Sequence, residues 1–125
     1  MKTWDTRNLD ADPHKPEILS SGDAARVIAL TLPAGEELQE HEVHEQAWLV
    51  VVEGQIEVEA GAKTVSGGPG LVAEFDAHER HEVRATEDSR LVLVLAPWPG
   101  DGHPGAMSLD EKATARERAQ DRAGA

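Results

Sequence analysis

Short apolar runs, separated by glycine and proline, recur along the middle of this chain. Residues 55–59 alternate polar and apolar side chains with a period of two, which is typical of a strand with one solvated face. Residues 48–52 and 91–96 are continuously apolar and too short for a convincing helix, so we expect central strands covered on both faces. The predicted strands are 17–19, 26–32, 48–52, 55–59, 63–65, 71–75, 81–85 and 90–96.

Turn residues separate these segments. Glu53-Gly54 suits a tight turn between two central strands, and residues 33–35 and 66–70 contain the proline and glycine of sharper loops. Residues 36–42 are polar and are interpreted as an approach to the first histidines rather than as a strand. Short strands at regular spacing without interleaved helices predict an all-β sandwich or barrel.

The two ends of the chain differ from its middle. Residues 1–24 are polar and contain prolines, so we expect an N-terminal arm, with Trp4 anchoring it on the barrel or on a second subunit. The predicted barrel occupies residues 25–98. We expect residues 99–125 to form a C-terminal loop followed by a short surface helix or a frayed tail, because Ser108-Leu-Asp-Glu111 resembles a capping box before good helix formers.

Composition narrows the function classes. A chain of 125 residues is long enough for one domain with its own core. It has no cysteine, which excludes disulfides and thiolate metal sites and suits a reducing cytoplasm. Its net charge of -12 argues against nucleic-acid binding. Neither a signal-peptide core nor a bilayer-length apolar run is present, so we expect a cytoplasmic protein with no membrane partner.

The candidate chemistry lies in two histidine groups, each just before a predicted strand. The first contains His41 and His44, and the second contains His78 and His81. Glu45 and Gln46 accompany the first group. Imidazole combined with carboxylate or amide oxygen suits Zn, Fe, Mn or Ni. The sequence therefore predicts a polar site where two strands begin.

The strand pattern and these histidines resemble the cupin superfamily, in particular the small single-domain RmlC-like jelly-roll cupins. The family's first motif runs from Gly through His-x-His and Glu to a second Gly, and Gly35, His41 and Gly54 match it in kind and spacing. Its second motif runs from Gly through Pro-x-Gly to His, and Gly70 and His81 match its ends. The resemblance covers residues 26–96 and implies a jelly-roll β-barrel in which the two motifs face each other.

Several family positions are occupied by other residue types. The second histidine of the first motif falls at Val43 and the glutamate at Ala47, and neither side chain can bind a metal. His44-Glu45-Gln46 resembles, displaced by one residue, the His-Glu-Gln run of some cupins, in which the glutamine is a ligand. Activity therefore does not carry over from the metal-dependent members as it stands.

If the chain still assembles a divalent metal site, we expect His41, His44, Gln46 and His81 to hold the metal, with His78 substituting for a ligand or supporting one. The alternative is a metal-free pocket in which His41 and His81 form hydrogen bonds with carboxylates such as Glu45. Strand alternation would turn His44 and Gln46 to one face and His41 to the other. A bulge between His41 and His44 would bring all three inward.

Three functions fit these residues. The first is a metal-dependent enzyme acting on a small molecule, such as a dioxygenase, isomerase, lyase or cyclase, with Glu45 moving protons. The second is a metal-free module that binds or senses a small ligand. The third is a structural partner domain that uses its acidic surface. The fold alone does not discriminate among them, since this kind of barrel supports many activities.

The sequence also predicts a homodimer. The runs at Trp48 and Leu91 are apolar on both strand faces, whereas a small barrel buries only one face. A subunit interface would cover the other face. Trp48 is interpreted as an interface or core aromatic, with a substrate platform as the alternative.

Overall fold

The computed structural model describes residues 1–13, 15–41 and 43–100. The described residues form nine strands and no helix. No helix in these ranges could therefore cross a membrane. The predicted C-terminal helix lies outside the described residues. The strands are β1 Glu17–Ser21, β2 Arg26–Leu32, β3 Glu37–His41, β4 Gln46–Glu53, β5 Ile56–Ala60, β6 Lys63–Gly67, β7 Val72–Phe75, β8 His81–Ala85 and β9 Ser89–Ala96.

The strands form two antiparallel sheets. The larger sheet has the order β1-β2-β9-β4-β7, and the smaller sheet has the order β3-β8-β5-β6. Neighbours in each sheet are mostly distant in sequence, as in a jelly roll. This arrangement confirms the predicted all-β jelly-roll barrel. It leaves β6 and β7 as edge strands of their respective sheets.

Strand alternation places the core between the sheets. In β4, Ala47, Leu49 and Val51 are buried, while the residues between them are partly exposed on the outer face. This alternation shows that the apolar run is not buried equally on both faces within one chain. The smaller sheet contributes Ile56, Val58, Val83 and Ala85 to the same core.

Strand β3 is a correction to the sequence interpretation of residues 36–42. It pairs with β8 through the Cα partners Glu37↔Arg84, Leu38↔Val83 and His41↔His81, with an irregularity between the last two pairs. Its sequence, Glu-Leu-Gln-Glu-His, contains a single apolar residue and therefore lacks the alternation typical of a strand. Pairing with the more apolar β8 determines its conformation instead.

Two further features are the turn after β4 and the contact of the N-terminal arm with the larger sheet. Gly54 has a φ of 94° in the turn between β4 and β5, where any side chain would collide with Ser89, so the predicted turn is confirmed. The N-terminal arm contacts the larger sheet through the Thr6 carbonyl, which accepts a hydrogen bond from Arg90 Nη1 at 2.9 Å. Trp4 remains 41% exposed within the chain.

Candidate ligand and metal site

Backbone pairing brings the two histidine groups to one end of the barrel. Strand β3 ends at His41 and β8 begins at His81, and the two residues are Cα partners. The loop before β8 reaches the loop before β4, because the amide of His78 donates a hydrogen bond to the carbonyl of Val43 at 2.7 Å. We call this the histidine end, defined by His41, His44, His78 and His81. The side chain of His41 lies outside what the structure describes.

His81 is the imidazole that the structure places in the barrel interior. It is 4% exposed, and its ring stacks on Phe75 with centroids 3.9 Å apart and planes within 9°. Its Nδ1 lies 3.1 Å from the carbonyl oxygen of Glu79. In a neutral ring that donates through Nδ1, the lone pair is on Nε2. A histidine held by a backbone carbonyl in this way is the usual form of a metal ligand.

The rings of His44 and His78 contact each other at the histidine end. Their ring centroids are 5.1 Å apart at an interplanar angle of 84°, an edge-to-face contact. His78 has a φ of 67°, a left-handed conformation uncommon for residues other than glycine. The hydrogen bond to Val43 holds this conformation and so positions the His78 ring against His44.

Glu45 is buried in the loop between β3 and β4. It is 2% exposed, and its Oε2 accepts a hydrogen bond from the amide of Gly100 at 2.6 Å. This bond ties the histidine end to the segment that follows β9. Such a contact supports a structural contribution from Glu45, and its role as a proton carrier stays a prediction.

Gln46 occupies the outer face of the larger sheet. Its Nε2 donates to Glu74 Oε1 at 2.5 Å, and the neighbouring Ala47 points into the core with no exposed surface. Because successive strand residues face opposite sides, Gln46 and His81 lie on opposite sides of the barrel wall. The structure therefore does not bring Gln46 to the interior with His81.

The predicted four-residue metal set does not fit as a whole. Gln46 points outward, and the family ligand positions at Val43 and Ala47 carry side chains without donor atoms. Among the side chains that the structure describes, which do not include those of residues 14 and 39–42, no group of three or more His, Cys, Asp or Glu is arranged to hold a metal ion. The residues that stay at the histidine end are His41, His44, His78 and His81.

A cavity of about 300 Å³ opens next to this site, between the edge strands β6 and β7. Phe75 and Glu79 line it, and the same two residues contact His81 through the ring stack and the carbonyl hydrogen bond. Most of its wall is apolar, and its rim carries three charged residues. The apolar residues include Val58, Val65, Leu71, Val72 and Ala73, and the charged ones are Lys63, Glu74 and Glu79.

Sequence reasoning missed this cavity. Its lining comes from β5, β6, β7 and the loop after β7, and none of these segments carries a recognisable motif apart from the histidines. The available signal was the pair of exposed valines, Val65 and Val72, on short strands. Only the strand order shows that those strands are the two sheet edges that meet.

Comparisons with known proteins agree with this architecture. The sequence model described as a cupin domain matches residues 28–97, more than half of the chain. A search of curated proteins found no significant match.

Solved cupin structures superpose on the chain at low sequence identity. An RmlC-like cupin from Desulfovibrio desulfuricans gives a TM-score of 0.69 at 24% identity, covering 78% of this chain and 97% of the other. An RmlC-like cupin with a double-stranded β-helix fold from Methanocaldococcus jannaschii gives 0.66 at 16% identity, covering 79% and 93%. The cupin domain of Cnp3 from Schizosaccharomyces pombe gives 0.68 at 18% identity, covering 76% and 68%.

These structures are similar in fold, and the sequence model covers the strands that carry both histidine motifs. The chain therefore belongs to the cupin family.

Proposed function

We propose that this protein is a small-ligand-binding cupin whose ligand occupies the cavity between β6 and β7. The observation that carries the proposal is the position of this apolar cavity beside the Phe75–His81 stack. An apolar wall removes a ligand from water, and the charged residues at the rim offer hydrogen-bonding groups. Binding or sensing a ligand requires no catalytic step.

The size of the cavity limits the ligand. Its volume of about 300 Å³ lies at the lower end of the roughly 300–1,000 Å³ that small-molecule sites occupy. A metabolite with one ring or a short chain would fit, whereas a dinucleotide would not. The apolar part of such a ligand would pack against Leu71 and Ala73.

A cavity-filling variant tests this proposal. Ala73 lines the cavity and points inward from β7, so Ala73→Phe should fill part of the space. The neutral probe 3-phenylpropan-1-ol, followed by amide chemical shifts, should perturb β5, β6 and β7 in the wild-type protein and lose at least tenfold in affinity in the variant. Ala62→Phe, in the exposed turn before β6, is the matched control and should bind as wild type. Equal binding by all three proteins, or no binding by any, would reject the cavity as the ligand site.

Metal-dependent action on a small molecule is the second candidate. It is favoured by the hydrogen bond from His81 to the Glu79 carbonyl, which holds the ring as metal-ligating histidines are held. The residues available for a divalent Zn, Fe, Mn or Ni are His41, His44 and His81, with His78 beside His44. A bound metal would supply Lewis acidity.

Metal retention separates the two candidates. On this second proposal, elemental analysis of the purified protein finds a transition metal that a chelator removes, and His41→Ala or His81→Ala abolishes its uptake. His14→Ala and His103→Ala, outside the described residues, are the controls and should retain it. A protein that takes up no transition metal from a stoichiometric excess would leave ligand binding as the function.

The proposal includes a cytoplasmic location, because a chain without cysteine needs no oxidising compartment.

A further inference from the structure

We infer that the ligand of the β6–β7 cavity is a small organic acid with an apolar body and one carboxylate, which pairs with Lys63. This inference rests on the proposed ligand-binding function and adds the chemical class of the ligand. It follows from the polarity of the two ends of the cavity and from the contacts that its charged residues already make.

One end of the cavity is apolar. Leu71 packs closely on Gly67, where an added Cβ would lie 2.8 Å from Leu71 Cδ2. Val65 lines the same end and is 37% exposed, although it is a large apolar side chain. An apolar ligand body placed here would cover surface that the chain leaves in water.

The other end is charged and lies next to the histidine end. Lys63 is the Cα partner of Ala60, the last residue of β5. Glu59, which precedes Ala60, is the Cα partner of Glu82, the neighbour of His81. Strand β7 also runs toward the histidine end, from Val72 to Phe75 and on to the loop that carries Glu79. Lys63 and Glu79 therefore line the cavity near the Phe75–His81 stack, and a ligand head group would lie among them.

The contacts of the three charged residues favour a negatively charged head group. Glu74 accepts a hydrogen bond from Gln46 Nε2, and Glu79 Oε1 accepts one from the amide of Asp76 at 3.1 Å. Both carboxylates thus have donors from the protein. Lys63 takes part in no salt bridge among the described residues and presents three donors at the rim. A carboxylate on the ligand matches these donors and supplies the counter-charge that Lys63 lacks among the described residues.

Three probes of one shape test the charge preference. 3-Phenylpropanoate, 3-phenylpropan-1-ol and 3-phenylpropan-1-amine share the same apolar body, so differences in affinity report on the head group. We expect the acid to bind about 1.5-fold to fivefold more tightly than the alcohol, the range for one solvent-accessible ion pair, and the amine to bind most weakly. The preference for the acid should shrink at high salt, because exposed charges are screened.

Lys63→Met keeps the apolar stem and removes the charge. In this variant the acid should lose its advantage, so that the acid and the alcohol bind with similar affinity. Lys15→Met, which changes the net charge equally at a lysine lining a different cavity, should keep the wild-type preference. Unchanged amide spectra away from the cavity would verify that both variants are folded.

The outcomes separate this inference from the proposed function. If the alcohol binds in the cavity but the amine binds as tightly as the acid, or if the preference for the acid survives in Lys63→Met, the assignment of an acid is overturned while the cavity stands as a ligand site. If none of the three probes binds the wild-type protein, the ligand-binding function fails and this inference fails with it.

Discussion

At the scale of single residues, Gly100 and Glu45 close the histidine end. The Glu45 carboxylate is buried and accepts the Gly100 amide, and the same glycine lies directly against the carbonyl oxygen of His44. A backbone this close leaves no space for a Cβ. The conformation of the loop before β4, and with it the His44–His78 contact, therefore depends on a glycine at position 100.

Replacing this glycine should destabilise the protein. In Gly100→Ala the new methyl group would overlap the His44 carbonyl, so the loop must shift and the buried Glu45 hydrogen bond must lengthen. We expect a loss of about 1–3 kcal/mol in the free energy of unfolding, measured by urea denaturation. Gly22→Ala is the matched control, since nothing lies within 4 Å of its added Cβ. Equal stability of the two variants would contradict the proposed packing.

At the scale of strands, the outer face of the smaller sheet concentrates negative charge. Glu37, Glu57 and Glu82 surround Arg84, with oxygen–nitrogen distances of 3.7, 3.9 and 3.9 Å. A hydrogen bond with Glu37 and the negative charge of that residue raise the pKa of Glu82, with smaller contributions from desolvation and from Glu59, while Arg84 opposes the shift. One arginine thus does not balance the carboxylates on this face.

Neutralising Glu82 should therefore stabilise the protein at neutral pH. A raised pKa means that the folded state holds the proton more firmly than the unfolded chain, so this contribution to stability is present at low pH and lost as pH rises through the folded pKa. Glu82→Gln should raise the unfolding temperature slightly at pH 7, and the gain should shrink below about pH 4, where carboxylates are protonated.

A second exposed glutamate, Glu87, serves as the control for Glu82→Gln. Glu87→Gln removes the same charge from the turn before β9 and should give less than half the gain of Glu82→Gln at pH 7. A similar gain in both variants would show that the effect comes from the overall net charge of the chain rather than from the Glu37–Glu82 contact.

The elements differ in how well their sequences predicted them. Strands β2 and β8 have the predicted bounds of 26–32 and 81–85, because β-branched or alternating residues end at clear turns. Strand β3 was missed, since its polar residues adopt the strand only through pairing with β8. Local pattern identifies strands that carry their own apolar face, and long-range pairing creates the others.

The same distinction applies to the site. The two histidine motifs predicted that His41 and His81 come together, and the backbone pairs these residues directly. The direction of Gln46 depends on where β4 starts, and a shift of one residue reverses the face of every side chain. The cavity depends on which strands form the sheet edges, and this information is distributed over the whole topology.

At the scale of the whole molecule, the two outer faces of the barrel have opposite character. The smaller sheet presents the carboxylates around Arg84. The larger sheet presents an apolar patch, which we define by the apolar outward-facing residues paired across β4, β7 and β9. They are Trp48, Val50, Val72, Val92 and Val94. In a chain with a net charge of -12, such a patch is where two copies can approach with the least repulsion.

We therefore propose that the protein is a homodimer, with the apolar patch of one copy packed on that of a second copy. Val50 is the Cα partner of both Val72 and Val92, so it lies at the centre of the patch. Val50→Glu would place like charges near each other in a two-fold interface and should give a monomer by light scattering at high micromolar concentration. Thr64→Glu adds the same charge to β6 in the smaller sheet, and that variant should stay dimeric. A wild-type monomer at this concentration, or dissociation of the Thr64 variant, would rule out an interface through the larger sheet.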